Sequence, residues 1–129
     1  MNDLHKNNLD YLAAHHAQKI VQTLSTDPKK AEISITKTLG VLQENGVYAC
    51  FLYLYAREGK TGESIAAEAL ELFASLKFSA APNASSKDET LKYVAEEITA
   101  DLPRLLLAKE ALEQMLIYAR YGAKAAGKQ

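Results

Sequence analysis

The 129-residue chain has one cysteine, Cys50. A lone thiol closes no internal disulfide, so nothing points to an oxidising compartment. Proline is scarce at three residues and glycine at six, and there is no tryptophan. An all-β fold would need turn residues roughly every 8–12 positions, and they are missing. The longest near-continuous apolar run, residues 47–56, falls well short of the ~20 residues a spanning helix needs. The opening Met-Asn-Asp-Leu-His-Lys has no apolar signal core behind it. Asn83-Ala84-Ser85 fits a glycosylation sequon, but without a secretion signal it is read as chance. A cytoplasmic protein is expected. Excess charge of one sign is missing too: the net charge is −1, so no global basic field advertises a polyanion.

What is present favours helix. Ala, Leu, Glu and Lys recur throughout, and 48% of residues are hydrophobic, enough for one packed core. Leu9, Leu12, Ala13, Ile20, Val21 and Leu24 repeat at helical steps and predict a helix over residues 8–24. Asp27 and Pro28 cap and open a second, which carries Ala31, Ile35, Leu39 and Leu42. It ends at Asn45-Gly46, a pair suited to the left-handed conformation that closes helices. Residues 47–58 are β-branched and aromatic enough for a strand. They are read as a buried helix, apolar all round, because no second strand is available to pair.

Gly59-Lys60-Thr61-Gly62 is expected to break the chain, with Thr61 as a cap. A fourth helix follows over residues 63–77, with Ile65, Ala69, Leu72, Phe73 and Leu76 inward. Residues 79–86 form a loop, and Ser86 to Glu89 has capping-box spacing. It precedes a short helix with Leu91, Val94, Ala95 and Ile98 inward. Asp101-Leu102-Pro103 opens the longest helix, to about Ala126, with a stripe of Leu105, Leu106, Leu112, Met115, Leu116, Ala119 and Ala123. Gly122 inside it marks either a close helix approach or a weak spot. The fold class is therefore all-α: a compact single-domain helical bundle of about five to six helices over residues 1–129.

Few residues suggest chemistry. Gly59-Lys60-Thr61 resembles the end of a phosphate loop, but Leu54 stands where the first glycine would be. His15 and His16 are adjacent, so they point about 100° apart. Both are expected at the surface or at caps, as is His5, alone near the terminus. Cys50 is expected to be a small buried hydrophobe with a raised pKa. Glu96, Glu97, Glu110 and Glu113 are expected to be helix-surface acids. No catalytic set, cofactor site or metal site is expected. The seven tyrosines suit core and boundary packing, or a surface that meets another protein.

Charge is unevenly spread. Residues 1–60 carry seven basic and six acidic groups, residues 61–101 three and eight, and residues 102–129 five and two. Such a molecule can meet a polyanion on one side or stack head to tail on its own copies. Arg120, Lys124 and Lys128 follow at four-residue steps and share a face, about 6 Å between neighbours, close to phosphate spacing along a nucleic-acid strand. Cations there also complement the helix dipole. Arg57 and Lys60 are expected to extend the same patch.

Two segments carry a resemblance. Thr38-Leu39-Gly40-Val41-Leu42-Gln43-Glu44-Asn45-Gly46-Val47-Tyr48-Ala49-Cys50-Phe51-Leu52-Tyr53-Leu54 joins a helix to a buried apolar helix through an asparagine-glycine-aliphatic junction. Ala111-Leu112-Glu113-Gln114-Met115-Leu116-Ile117-Tyr118-Ala119-Arg120-Tyr121-Gly122-Ala123-Lys124-Ala125 has a leucine-rich face, then aromatic, basic, aromatic, and an alanine-rich end. Both resemble the small subunit of the Cmr-type (type III-B) CRISPR RNA-guided effector complex, in which Trp often stands where this chain has Tyr118.

The resemblance implies a non-catalytic helical bundle in antiviral defence. It implies copies stacked as a minor filament beside the backbone and large subunits, holding the target RNA of the guide–target duplex. RNA contacts would fall to Arg57, Lys60, Arg120, Lys124 and Lys128, with Lys19, Lys29 and Lys30 as alternatives. Other expectations compatible with the sequence are the small subunit of a type III-A (Csm) complex, or a helical protein–protein adaptor with no nucleic-acid role.

Overall fold

A computed structural model describes residues 8–128; the expectation for His5 lies outside them. Six α-helices and one π-helical turn form a compact bundle, with no strand among the described residues. The helices are α1 (Leu9–Thr23), α2 (Pro28–Asn45), α3 (Val47–Arg57), α4 (Gly59–Ser75), α5 (Lys87–Tyr93) and α6 (Leu102–Ala126). The π turn, Val94–Thr99, follows directly on α5. No helix among the described residues is long and apolar enough to cross a membrane.

The helix starts follow local chemistry. Asn8 Oδ1 accepts from the amides of Asp10 at 2.8 Å and Tyr11 at 3.3 Å. Asp27 Oδ1 accepts from Lys30 N at 3.1 Å, and Asp101 Oδ1 from Arg104 N at 3.3 Å. Each satisfies amide groups that a helix start leaves without partners. Pro28 and Pro103 sit just inside, where a missing N–H costs nothing. Two expected caps do not form. Ser86 makes no side-chain cap bond, and Thr61 lies inside the first turn of α4 rather than before it.

α2 and α3 meet at Gly46, with φ +100° and ψ −174°. The positive φ agrees with expectation, but ψ is extended rather than left-handed, a region essentially closed to side-chain-bearing residues. At the far end of α4 the amides of Lys77 and Phe78 reach back to Ala74 O (3.0 Å) and Phe73 O (3.1 Å). This is a Schellman closure, and the Phe78 ring packs 5.6 Å from that of Phe73. Lys77 fills the left-handed position with φ 68°, at a cost of about 1 kcal/mol relative to glycine.

α6 packs along both α1 and α2; α1 lies against α4, α4 against α3, and α3 against α2. Phe51, Phe73, Ile35, Leu42, Leu54, Leu72, Leu112 and Met115 fill the centre. α3 is helical as expected but one-sided: Val47, Cys50, Phe51 and Leu54 are buried, while Tyr48 and Leu52 are exposed. Leu106, assigned to the α6 stripe, is 60% exposed, and Ala108 and Ala111 are buried in the stripe instead. Leu91 and Ala95 are half-buried, while Thr90 and Tyr93 face inward. The π turn admits an extra residue and rotates the face that α periodicity assigns to Ala95 within it. Gly122 does mark a close approach: a Cβ there would lie 2.9 Å from Val21 Cγ2 of α1.

Candidate nucleic-acid interface

Arg57 ends α3 and Lys60 opens α4, so the two stand on one sharp corner, and both are exposed. The corner is tight because Gly62 lets the chain pass: a Cβ on it would fall 2.1 Å from Leu54 O. Between the two cations sits Glu58, which neutralises neither of them. Its carboxylate turns inward, accepting from Ser34 Oγ at 2.8 Å and from the Tyr53 hydroxyl at 2.5 Å. Burial, then the hydrogen bond and charge of Glu58, push the Tyr53 phenol up to about 12 against the opposing charge of Arg57. Lys60 also borders a cleft of about 630 Å³ between α4 and the 79–86 loop, beside Ser64, Asn83 and Ser85.

The other cations lie on and just past the last two turns of α6. Arg120 is half-buried, its guanidinium 5.0 Å from the centroid of the Tyr121 ring, which is itself 58% exposed. Such stacking keeps the charge extended over an apolar plate. Lys124 is exposed in the final turn. Lys128 lies past the Gly127 cap, so it flanks the helical face shared by Arg120 and Lys124 rather than continuing it. Two acids further from the helix end are again held by neutral donors. Glu113 accepts from Gln43 at 2.9 Å, and Asp10 accepts from the Tyr118 hydroxyl.

None of the five cations forms a salt bridge among the described residues; Lys19 and Arg104 are the basic residues that do. The corner pair and the α6 set are carried by different elements, Glu58 of the corner reaching Ser34 of α2 and Gly127 approaching Pro28 at the start of that same helix. Of the alternatives, Lys29 and Lys30 are exposed at the start of α2, where Gly127 also approaches Pro28. That places them near the α6 set, while Lys19 is held in ion pairs.

Cys50 is buried, and burial pushes its thiol up to about 12, as expected of an inert core cysteine. Three of the tyrosines serve packing and bridging. Tyr55 donates to Ala84 O at 2.6 Å and Tyr93 to Ser79 O at 2.8 Å, and Tyr118 ties α6 to the start of α1.

The histidine expectation needs correction. His15 is exposed, but His16 is buried. Its Nδ1 lies 2.6 Å from Glu68 Oε2 and its Nε2 lies 3.0 Å from Ser75 Oγ. The signal was present in the sequence. His16 stands four residues from both Leu12 and Ile20, on the apolar stripe of α1. No family model, curated protein or solved structure matches the chain.

Proposed function

We propose that this chain is a non-catalytic small subunit of a type III-B CRISPR (Cmr) ribonucleoprotein complex, one that stacks on its own copies in a minor filament and contacts the target RNA backbone. The observation that carries the RNA contact is the set of cations that form no salt bridge among the described residues. Arg120, Lys124 and Lys128 protrude from one helix end, and Arg57 and Lys60 from one corner, while Glu58, Glu113 and Asp10 are each engaged by neutral donors. A charge left without a protein counter-ion is free to neutralise phosphate, and each such contact releases counter-ions. The helical bundle and the Gly46 junction support the resemblance on which the identity of the complex rests. Sequence choice in such an assembly belongs to base pairing, and the protein reads backbone and shape.

The test is reversal of the α6 charges in the assembled complex. Arg120→Glu with Lys124→Glu should weaken target-RNA binding and flatten its salt dependence by about 1.4 in log–log slope, two single-strand phosphate contacts at about 0.7 each. Unchanged affinity and slope would remove these residues from the RNA contact. A chain that shows no salt-sensitive RNA binding in any assembly would be an adaptor instead.

A further inference from the structure

The seam between α1 and α4 encloses a polar cluster that the RNA reading does not use. His16 and Lys19 project from α1, three residues apart, and Glu68, Glu71 and Ser75 project from α4. One ligand atom each from His16, Glu68 and Glu71 lies within 4.8 Å of the others. We propose that these three side chains form a divalent transition-metal site, for a zinc-like ion, with Lys19 as its built-in competitor.

Three observations support a ligand set over a chance cluster of acids. The imidazole is buried, with its side chain only 4% exposed, so its orientation is fixed before any ion arrives. Its far nitrogen is held by Ser75 Oγ at 3.0 Å. At 2.6 Å from Glu68 Oε2, Nδ1 carries the proton that the carboxylate accepts; an ion would take that proton's place, with Nε2–H donating to Ser75 Oγ as the outer hydrogen bond that metal-bound histidines use. A cation also already lies against both acids: Lys19 Nζ is 2.7 Å from Glu71 Oε1 and 3.5 Å from Glu68 Oε2.

The way in is open. The side chain of Glu71 is 57% exposed and that of Lys19 is 40% exposed, so the ammonium can swing into water and the outer carboxylate can close on an ion. Donors around tetrahedral zinc sit about 3.4 Å apart, so Glu71 closes by rotation while the His16–Glu68 pair, 2.6 Å apart, opens. One imidazole and two carboxylates leave a fourth position for water. The nitrogen donor favours zinc, copper or nickel over magnesium and calcium, which take oxygen. Binding displaces Lys19 still charged and needs His16 neutral with its proton on Nε2.

The experiment is calorimetric titration of the full chain with Zn²⁺, with cobalt(II) visible absorption as a reporter of coordination. Wild type should bind one ion per chain. Glu71→Gln, at an exposed position that leaves the core intact, should weaken binding by about tenfold or more. Lys19→Met should tighten it severalfold by removing the competitor. His15→Asn, at the exposed neighbour, should leave it unchanged. If His16→Asn folds, it should abolish the cobalt spectrum. The proposal is overturned if wild type shows no saturable one-to-one binding. It is equally overturned if Glu71→Gln and Lys19→Met both bind as wild type does, or if affinity depends on His15. RNA binding in the assembled complex reads the separate α6 proposal and is independent of these outcomes.

Discussion

Lys19 and Lys124 are lysines on helices two sides of the bundle share, yet the molecule treats them in opposite ways. On the α1–α4 seam Lys19 is held by two carboxylates, Glu68 and Glu71, and beneath it His16 is locked by Glu68 and Ser75. At the end of α6 Lys124 has no salt bridge among the described residues, and Glu113 and Asp10 are occupied by Gln43 and Tyr118. The α3–α4 corner follows the second pattern, with Glu58 turned away from Arg57 and Lys60 by Ser34 and Tyr53. Charge composition does not separate the two regions, because each contains acids and bases close in sequence. What separates them is whether a neutral hydroxyl or amide reaches the carboxylate before the cation does.

The comparison breaks most severely at the corner. Gly62→Ala places a Cβ on Leu54 O. A backbone carbonyl in a packed corner cannot yield as a side-chain tip can, so the cost should reach about 3 kcal/mol. Urea unfolding should show the extrapolated stability falling by that amount, with a correspondingly lower midpoint. A variant of wild-type stability would mean that the corner is loose and does not position Arg57 and Lys60.

The next effect concerns Tyr53, the hydroxyl that keeps Glu58 from the corner cations. Its phenol is raised in the folded chain from 10.0 to about 12. The neutral form is therefore favoured by folding, and its contribution is complete below pH 10 and lost as the pH rises from 10 towards 12. Cys50, raised from 9.0 to about 12, acts with the same sign and begins near pH 9. Urea midpoints between pH 9 and 12 should fall in wild type and fall less steeply in Tyr53→Phe, in which the Cys50 contribution is unchanged. Parallel curves would show that Glu58 does not hold the hydroxyl.

The smallest effect sharpens the comparison directly. Lys19→Ala removes an exposed pair and should cost about 0.5–1 kcal/mol at low salt, shrinking as salt is added. Lys124→Ala should stay within about 0.5 kcal/mol at any salt, as surface substitutions without partners do. Equal, salt-sensitive losses in both would mean that Lys124 has a counter-charge.

Much of the fold was legible because its determinants are local. Asn8, Asp27 and Asp101 cap the helices that their neighbours' spacing predicts, and α3 is a helix despite its strand-like composition. The errors fall where a residue's face is set by a distant partner or by a change of helical pitch. Leu106 is exposed and Thr90 buried because packing against the rest of the bundle, not local spacing, chose their faces. Thr61 lies within a helix because Gly62 lets α4 begin early. For the candidate interface, the sequence supplied the α6 spacing, while the inward turn of Glu58 between Arg57 and Lys60 came only from the fold.

The amino-acid order alone decided that this chain would be helical, where most helices begin and end, and which end would be basic, since capping, periodicity and charge act within a few residues. Only the tertiary structure decided which charges remain unpaired and that His16 sits on Glu68. The His16–Glu68 and Lys19–Glu71 pairs each join residues 52 apart in sequence, and a one-dimensional pattern holds no term for which side chain arrives first.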